Sequence, residues 1–553
     1  MRNFCKIRLA IWLFIITVSL PASLSAQNVE LDVIERSLEN GMKILMVERH
    51  DSPTVALYLR FRVGGVDDPQ GRTGIAHLLE HMMFKGTKIY GTTDFPAEVP
   101  WMEKIDGIYW ELDRERRKRS SAFEKSDEAP AATQDEDKAE AQNENDENKD
   151  ETRIGQLDQE MADALRQQRE YIVKDELWQT YQRLGGTHLN ASTGRDSTQY
   201  FVQLPSNQLE VWAFLESDRL ANPVFREFYP ERDVVHEERR MRTDTRPSGL
   251  LWEVFHSTAF QSHSYRNPVI GWAGDLDNMT REEVLEYFKT FYAPNNAIAA
   301  IVGDIDPDKT MAIMEKYFGP LQAQILPRRS ITEEPRQRGE RRVTISLDAQ
   351  PQMHIGYHIP QIGHEDSYAL DVLGQLLSGV SRGSRTGRLY KSLVLEKKVA
   401  LRASAGPMTS LYPSLFVFSA TPARGKSSQE LEEAIYEEIV KLQQEPPSEE
   451  ELTRVRNAVD ASAIRSLRSN FGIARVIAAS DHLAGSWRYV LTEREKLKAV
   501  TAEDVQSVAK KYFGEENRTV AELKSKSPSG GAATALSASP GRSESTPGLE
   551  GRQ

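Results

Sequence analysis

At 553 residues with 39% hydrophobic content, the chain exceeds what one hydrophobic core normally organises, so two or more soluble domains are expected. A formal net charge of −12 argues against a nucleic-acid partner, which would need a basic face to neutralise phosphates. The single cysteine, Cys5, lies in the N-terminal segment described next, which leaves the remainder of the chain without disulfides, thiol catalysis or thiolate metal ligands.

Residues 1–26 read as an export signal. Arg2, Lys6 and Arg8 form a basic start, Leu9 to Leu20 an apolar core too short to span a bilayer, and small residues follow Pro21 up to Ala26. A periplasmic or secreted protein with no stable membrane anchor after cleavage is the expectation. Strands follow: a turn at Glu39-Asn40-Gly41, then alternating segments at Met42 to Val47 and Thr54 to Val63, ended by Gly64-Gly65. A helical pattern runs from Thr73 through Ile75, Leu78, Leu79, Met82 and Met83 to Gly86. From about Arg114 to Arg169 the chain is highly charged, and Ser126 to Thr152 has no aromatic residue and too little apolar surface to offset its ordering entropy. That stretch reads as a solvated insertion flanked by helices.

Beyond Leu177, Thr187 to Leu204 reads as strand. Asn207 to Ala221, Tyr229 to Arg242 and Thr280 to Tyr292 read as helices, and Ala297 to Gly303 as a buried strand. An internal echo is visible. Thr280-Arg-Glu-Glu-Val284, ending in Phe291-Tyr292 before that strand, aligns without gaps on Thr501-Ala-Glu-Asp-Val505, ending in Tyr512-Phe513 before Arg518 to Leu523. Each copy is a threonine-capped helix with an acidic first turn feeding an apolar strand. Two related halves follow, at 27–323 and 343–524, joined by a linker at 324–342, with a Ser, Gly, Pro and Ala tail at 525–553 expected to be disordered.

The informative motif is His77-Leu-Leu-Glu-His81. Two histidines four apart project from one helix face, where their imidazoles can share a metal, and Glu80 borders the same face. This arrangement suits hydrolysis, in which a metal acidifies water and a carboxylate handles its proton. With cysteine excluded, the third ligand must be a carboxylate or another histidine. Glu231-Arg-Asp-Val-Val-His-Glu-Glu238 supplies candidates. Glu231 and Glu238 are seven apart and share a face, so that either can bind while the other supports the shell, and Glu237 is a competitor rotated off that face. His354 and His358 share the four-residue spacing, but Gly356 and Pro360 argue against a helix there. The Gly379, Gly383 and Gly387 run fits neither nucleotide-binding spacing and reads as a turn.

The order H-x-x-E-H marks the inverzincins. Gly64-Gly65, His77 to Thr87, Asn190-Ala191-Ser-Thr193 with Asp196, Thr198 and Tyr200, Glu231 to Glu238, Tyr292-Ala-Pro-Asn-Asn296 and Val302-Gly-Asp304 together closely resemble the M16 (pitrilysin/insulysin) metallopeptidases. The resemblance implies an α+β fold of two homologous domains, each a mainly antiparallel sheet packed with helices, forming half of a clamshell around short or unfolded peptides. It implies one zinc per chain on His77, His81 and Glu238, Glu80 as general base, Glu231 assisting, and Asn190-Ala191 on an edge strand that binds peptide by β-augmentation. Two departures stand out. The distance from His81 to Glu238 is about twice the family's usual one, which places an insertion at roughly 101–174. Val394 and Leu401 stand where complete family enzymes offer an Arg and a Tyr, so a dimer, or a hetero-oligomer with a related metal-free chain, is expected. A non-catalytic scaffold subunit is the alternative from another functional class, and a zinc storage or transfer protein a third.

Overall fold

The computed structural model describes residues 31–127, 136–379 and 385–526; for 120–151 only the backbone is described. The expected signal at 1–26 and nearly all of the expected tail lie outside these residues. No described helix is long and apolar enough to cross a membrane.

Two sheets organise the chain. The first contains β1 (Ile34–Ser37), β2 (Lys43–Glu48), β3 (Thr54–Phe61), β4 (Thr187–Thr193), β5 (Thr198–Pro205) and β6 (Ala297–Gly303), in the order β1-β2-β6-β3-β5-β4. The second contains β7 (Arg341–Leu347), β8 (Gln352–Ile359), β9 (Ala400–Pro407), β10 (Ser414–Pro422) and β11 (Arg518–Ser525), in the order β7-β11-β8-β10-β9. Without β1 the two orders match strand for strand. Each also has its one parallel pairing at the same place, β2 with β6 and β7 with β11, all other pairings being antiparallel. The echo read from the sequence is therefore structural. Strands β6 and β11 are each fed by a helix, Arg281–Phe291 or Ala502–Tyr512, and both helices begin with a reciprocal capping box, Thr280 with Glu283 and Thr501 with Asp504.

Among the helices, Ile75–Met82 (α1) carries the histidine motif, Phe95–Asp127 (α2) and Glu136–Arg169 (α3) form an antiparallel hairpin, and Phe228–Arg239 (α4) carries the glutamates. The base of the hairpin is part of the core, although it lies within the insertion expected at about 101–174. Ile105, Ile108, Tyr109 and Leu112 make a buried stripe at helical spacing, met by Leu157 and Ala164 from α3. Above that stripe the two helices are joined by exposed ion pairs, Arg116 to Asp158 and Arg153 to Glu111.

The halves exchange helices. Pro247–Ala259 (α5) lays Leu251, Phe255 and Ala259 against Leu415, Val417, Ala521 and Leu523 of the second sheet. Asn470–Ala484 (α6) lays Ile473, Ala474 and Ile477 against Leu45, Tyr58, Ile298, Ala300 and Val302 of the first. Strand β6 is thereby covered on both faces, which is why all seven of its residues are buried and its sequence reads as a continuous apolar run. At Gly356 a Cβ atom would stand 2.5 Å from the Phe255 ring, so the close seating of α5 on β8 requires glycine there.

Candidate metal centre

Helix α1 starts from Gly74, whose φ of +89° places it in the left-handed region. Its first turn is held by buried Asp68, which accepts from the Gly74 N–H at 2.7 Å and the Ala76 N–H at 3.3 Å. A carboxylate at a helix N-terminus satisfies donors that have no partner within the helix. His77 and His81 leave this helix one turn apart with ring centroids 4.9 Å apart. Helix α4 crosses beside it. The structure brings Glu238 Oε2 to 3.4 Å from His81 Nε2 and 3.7 Å from His77 Nε2. These three side chains are the only His, Cys, Asp or Glu group among the described residues that can converge on one ion, with ligand atoms all within 4.8 Å of one another. Two ligands about 2.0–2.2 Å from a tetrahedral zinc ion stand ~3.4 Å apart, so the donor set fits that metal.

Glu231 reaches the other side of His81, accepting from Nδ1 at 2.8 Å, and its second oxygen pairs with Lys85 Nζ at 2.6 Å. That contact fixes which ring nitrogen of His81 faces Glu238. Burial holds the His77 imidazole down to about 4, aided by repulsion from His81, which keeps it a neutral donor. For His81, burial pulls downward but hydrogen bonds to Glu231 and Glu238 prevail and raise it to about 9. A cation taken up at its Nε2 must therefore displace a proton. Burial would raise Glu231, yet its bonds to His81 and Lys85 bring it down to about 2. The Glu238 carboxyl is lowered, chiefly by its hydrogen bond with His81. Its other oxygen, Oε1, is held by Arg242 at 2.5 Å.

Glu80 stands apart from the ligand set. Burial raises its carboxyl, with a partial opposing effect from Thr193, whose hydroxyl donates to Oε2 at 2.5 Å. A carboxylate with elevated proton affinity is better matched to proton transfer near neutral pH than an ordinary one. Thr193 ends β4, the outer strand of the first sheet, so this contact ties the edge strand to the histidine helix. Asn190 on that strand is exposed and Ala191 partly so, with the Asn190 side-chain oxygen accepting from the Ala191 N–H at 2.8 Å.

The remaining sequence candidates are placed as follows. Glu237 is exposed and paired with Arg240 at 2.6 Å, away from the histidines. Val394 packs against the core of the second half, and Leu401 is 59% exposed on β9, that sheet's outer strand; neither side chain can donate a hydrogen bond. His354 and His358 lie on β8. Of the glycine run, Gly383 is outside the described residues. The sequence reading assigned no role to Asp68, Lys85 or Arg242. Each is a charged residue within nine positions of a candidate ligand, which is too weak a signal without knowing the turns between them.

Comparison with known proteins identifies the family. The insulinase (peptidase family M16) domain model matches residues 43–101 and 167–272, and the M16 inactive domain model matches 278–459. The chain belongs to peptidase family M16. The gap between the matched pieces of the first M16 domain coincides with the α2–α3 hairpin. Among curated relatives, the zinc protease PqqE of Helicobacter pylori is 26% identical over 537 residues, 95% of this chain and 100% of that protein. The uncharacterized zinc protease YmxG of Bacillus subtilis is 24% identical over 346 residues, 62% of this chain and 81% of that one. Among solved structures, a protease from Helicobacter pylori superposes with a TM-score of 0.70 at 24% identity, covering 90% of this chain and 100% of that chain. The first half of the periplasmic protease PqqL from Escherichia coli does so with a TM-score of 0.62 at 18% identity, covering 90% and 93%. The α+β architecture is thus the M16 fold, and both of these curated relatives are zinc proteases by name.

Proposed function

We propose that this M16 protein is a zinc-dependent endopeptidase acting on short or unfolded peptides outside the cytoplasm. The convergence of His77, His81 and Glu238 from two separate helices supports this reading most directly. Zinc, when bound, supplies Lewis acidity that lowers the pKa of water and polarises a carbonyl. His77 and His81 would hold it through Nε2 and Glu238 through Oε2, while Glu231 keeps the His81 ring oriented. Glu80 takes the proton of the attacking water and returns it to the amide nitrogen as the C–N bond breaks, leaving a carboxylic acid and an amine. The unpaired outer edge of β4, at Asn190 and Ala191, offers backbone hydrogen bonds to an extended peptide. A folded protein cannot present such a strand.

The positions of Val394 and Leu401 favour a second chain. A clamshell half lacking donors there is completed by a related metal-free chain, and export is consistent with the periplasmic location named for PqqL. The same two positions also support the alternative of a non-catalytic scaffold subunit, as does the fold's likeness to a Pseudomonas fluorescens structure described as the M16 inactive domain, with a TM-score of 0.67. Zinc analysis with a peptide-library digest, run with and without a related chain, separates these readings. Stoichiometric zinc with zinc-dependent cleavage supports the peptidase. Tightly bound zinc without cleavage under either condition supports the scaffold, and loosely held zinc without turnover a storage role.

A further inference from the structure

The carboxylates Glu80, Glu231 and Glu238 surround this site, and two cations answer them. Lys85 is locked between Glu231 at 2.6 Å and Glu227 at 3.4 Å, with its side chain only 21% exposed. Arg242 differs. Its Nη1 contacts Glu238 Oε1, yet its side chain is 66% exposed. Neighbouring arginines are otherwise engaged: Arg239 is buried on Glu253, and Arg240 pairs with the off-site Glu237. The backbone under Arg242 is fixed. It sits in a wide turn closed by the Thr245 N–H on the Arg240 carbonyl at 2.9 Å. A Cβ at Gly249 would stand 2.0 Å from the Arg242 carbonyl oxygen, so α5 packs hard against this turn. The result is a guanidinium on a rigid base, one carboxylate beyond the histidines, with N–H groups left facing solvent.

A guanidinium has five donors in a planar fork, of which Glu238 Oε1 engages one face. The free donors suit a second carboxylate. We propose that Arg242 is a specificity-determining residue that selects peptides bearing an Asp or Glu side chain next to the scissile bond. This rests on the proposed peptide-binding function of the site.

The test uses the full chain carrying Glu80→Gln, loaded with zinc and also stripped of it. A neutral labelled peptide is compared with versions in which a single Asp is scanned along its length, and binding is read by fluorescence anisotropy. Asp at one position, or two adjacent ones, should tighten binding about tenfold. Adding Arg242→Gln should abolish that gain, weakening the acidic peptide several-fold more than the neutral one in the zinc-free protein, and Arg242→Lys should retain part of it. The gain should persist without zinc. A gain that survives Arg242→Gln, that is uniform along the peptide, or that vanishes with the metal overturns the assignment. So does an equal weakening of neutral and acidic peptides, which would mean that Arg242 acts only by supporting Glu238. If no peptide binds at all and the parent cleaves none, the peptidase reading itself fails, an outcome distinct from binding without an acidic preference.

Discussion

On the proposed peptidase reading, Glu80 and Thr193 set the pH dependence of cleavage. Thr193 donates to the Glu80 carboxylate and so works against the burial that raises that carboxyl. Thr193→Val should therefore raise Glu80 further and move the acid limb of the kcat/KM profile to higher pH, with the alkaline limb in place. Glu80→Gln should retain zinc, measured by metal analysis, and lower kcat by at least about a hundredfold, since a positioned base contributes roughly 10²–10⁴. His77 and His81 could be paired from the sequence because helical spacing puts them on one face, which Glu80 borders. Glu231 and Glu238 were not separable by spacing, since both point the same way. Only the crossing of α4 past α1 puts Glu238 opposite both Nε2 atoms and Glu231 behind His81. Thr193, Lys85 and Arg242 depend on turns and strand edges that periodicity does not encode.

At the level of elements, the exchanged helices account for features that a strand-by-strand reading leaves unexplained. Strand β6 was readable as buried, but its cover, α6, comes from some 170 residues later in the chain, a pairing that no local pattern reveals. Gly356 belongs to the reciprocal contact. Gly356→Val should force the Phe255 ring off β8 and destabilise the protein by about 1–3 kcal/mol, the usual cost of overpacking, read as a lowered midpoint in denaturant. The hairpin gives a contrast within one element pair. Leu112→Ala, in the buried stripe, should cost about 2–5 kcal/mol. Breaking the exposed Arg116–Asp158 pair further along should cost less than about 1 kcal/mol. The charged composition of that region was read correctly from the sequence. The stripe beneath it was obscured by its setting among Lys, Arg and Glu.

Across the whole molecule, the seam between the halves is lined with histidines, His256, His263 and His482 buried and His354 and His358 partly so. His358 Nε2 lies 3.0 Å from the Ala259 carbonyl, His482 Nε2 lies 2.9 Å from the Asp196 carbonyl, and His354 packs on Trp252 and Phe255. His263 packs on Tyr412, and His256 lies against Trp252. Burial is the main cause in every case, and it holds His263 and His354 down to about 4 and His482 to about 3, with His256 and His358 also lowered. Arginines at the seam add to this, Arg195 beside His256 and His263, Arg402 beside His354, and Arg60 and Arg329 beside His482; Glu334 opposes it at His263 and His358. The sign follows from linkage. An unfolded histidine takes its proton near 6.5, whereas these resist protonation until well below that, so the unfolded chain binds more protons in between. The stabilisation is complete above about pH 6.5 and lost as pH falls toward 4, by up to about 3 kcal/mol for a group held near 4. The contribution of these histidines should accordingly be constant above pH 7 and fall between 6.5 and 4.5, opposed by Asp67 and Asp371, whose carboxyls burial raises to about 6 and about 7. His354→Gln, which cannot charge, should flatten that fall by removing one group from the sum. Limited proteolysis should show the 324–340 connection and α5 becoming susceptible together as the seam opens, because α5 is held to the second sheet by the contacts that the charged imidazoles disrupt. A His354→Gln variant whose melting temperature falls with pH as steeply as the parent's would mean that this imidazole finds water without the halves separating.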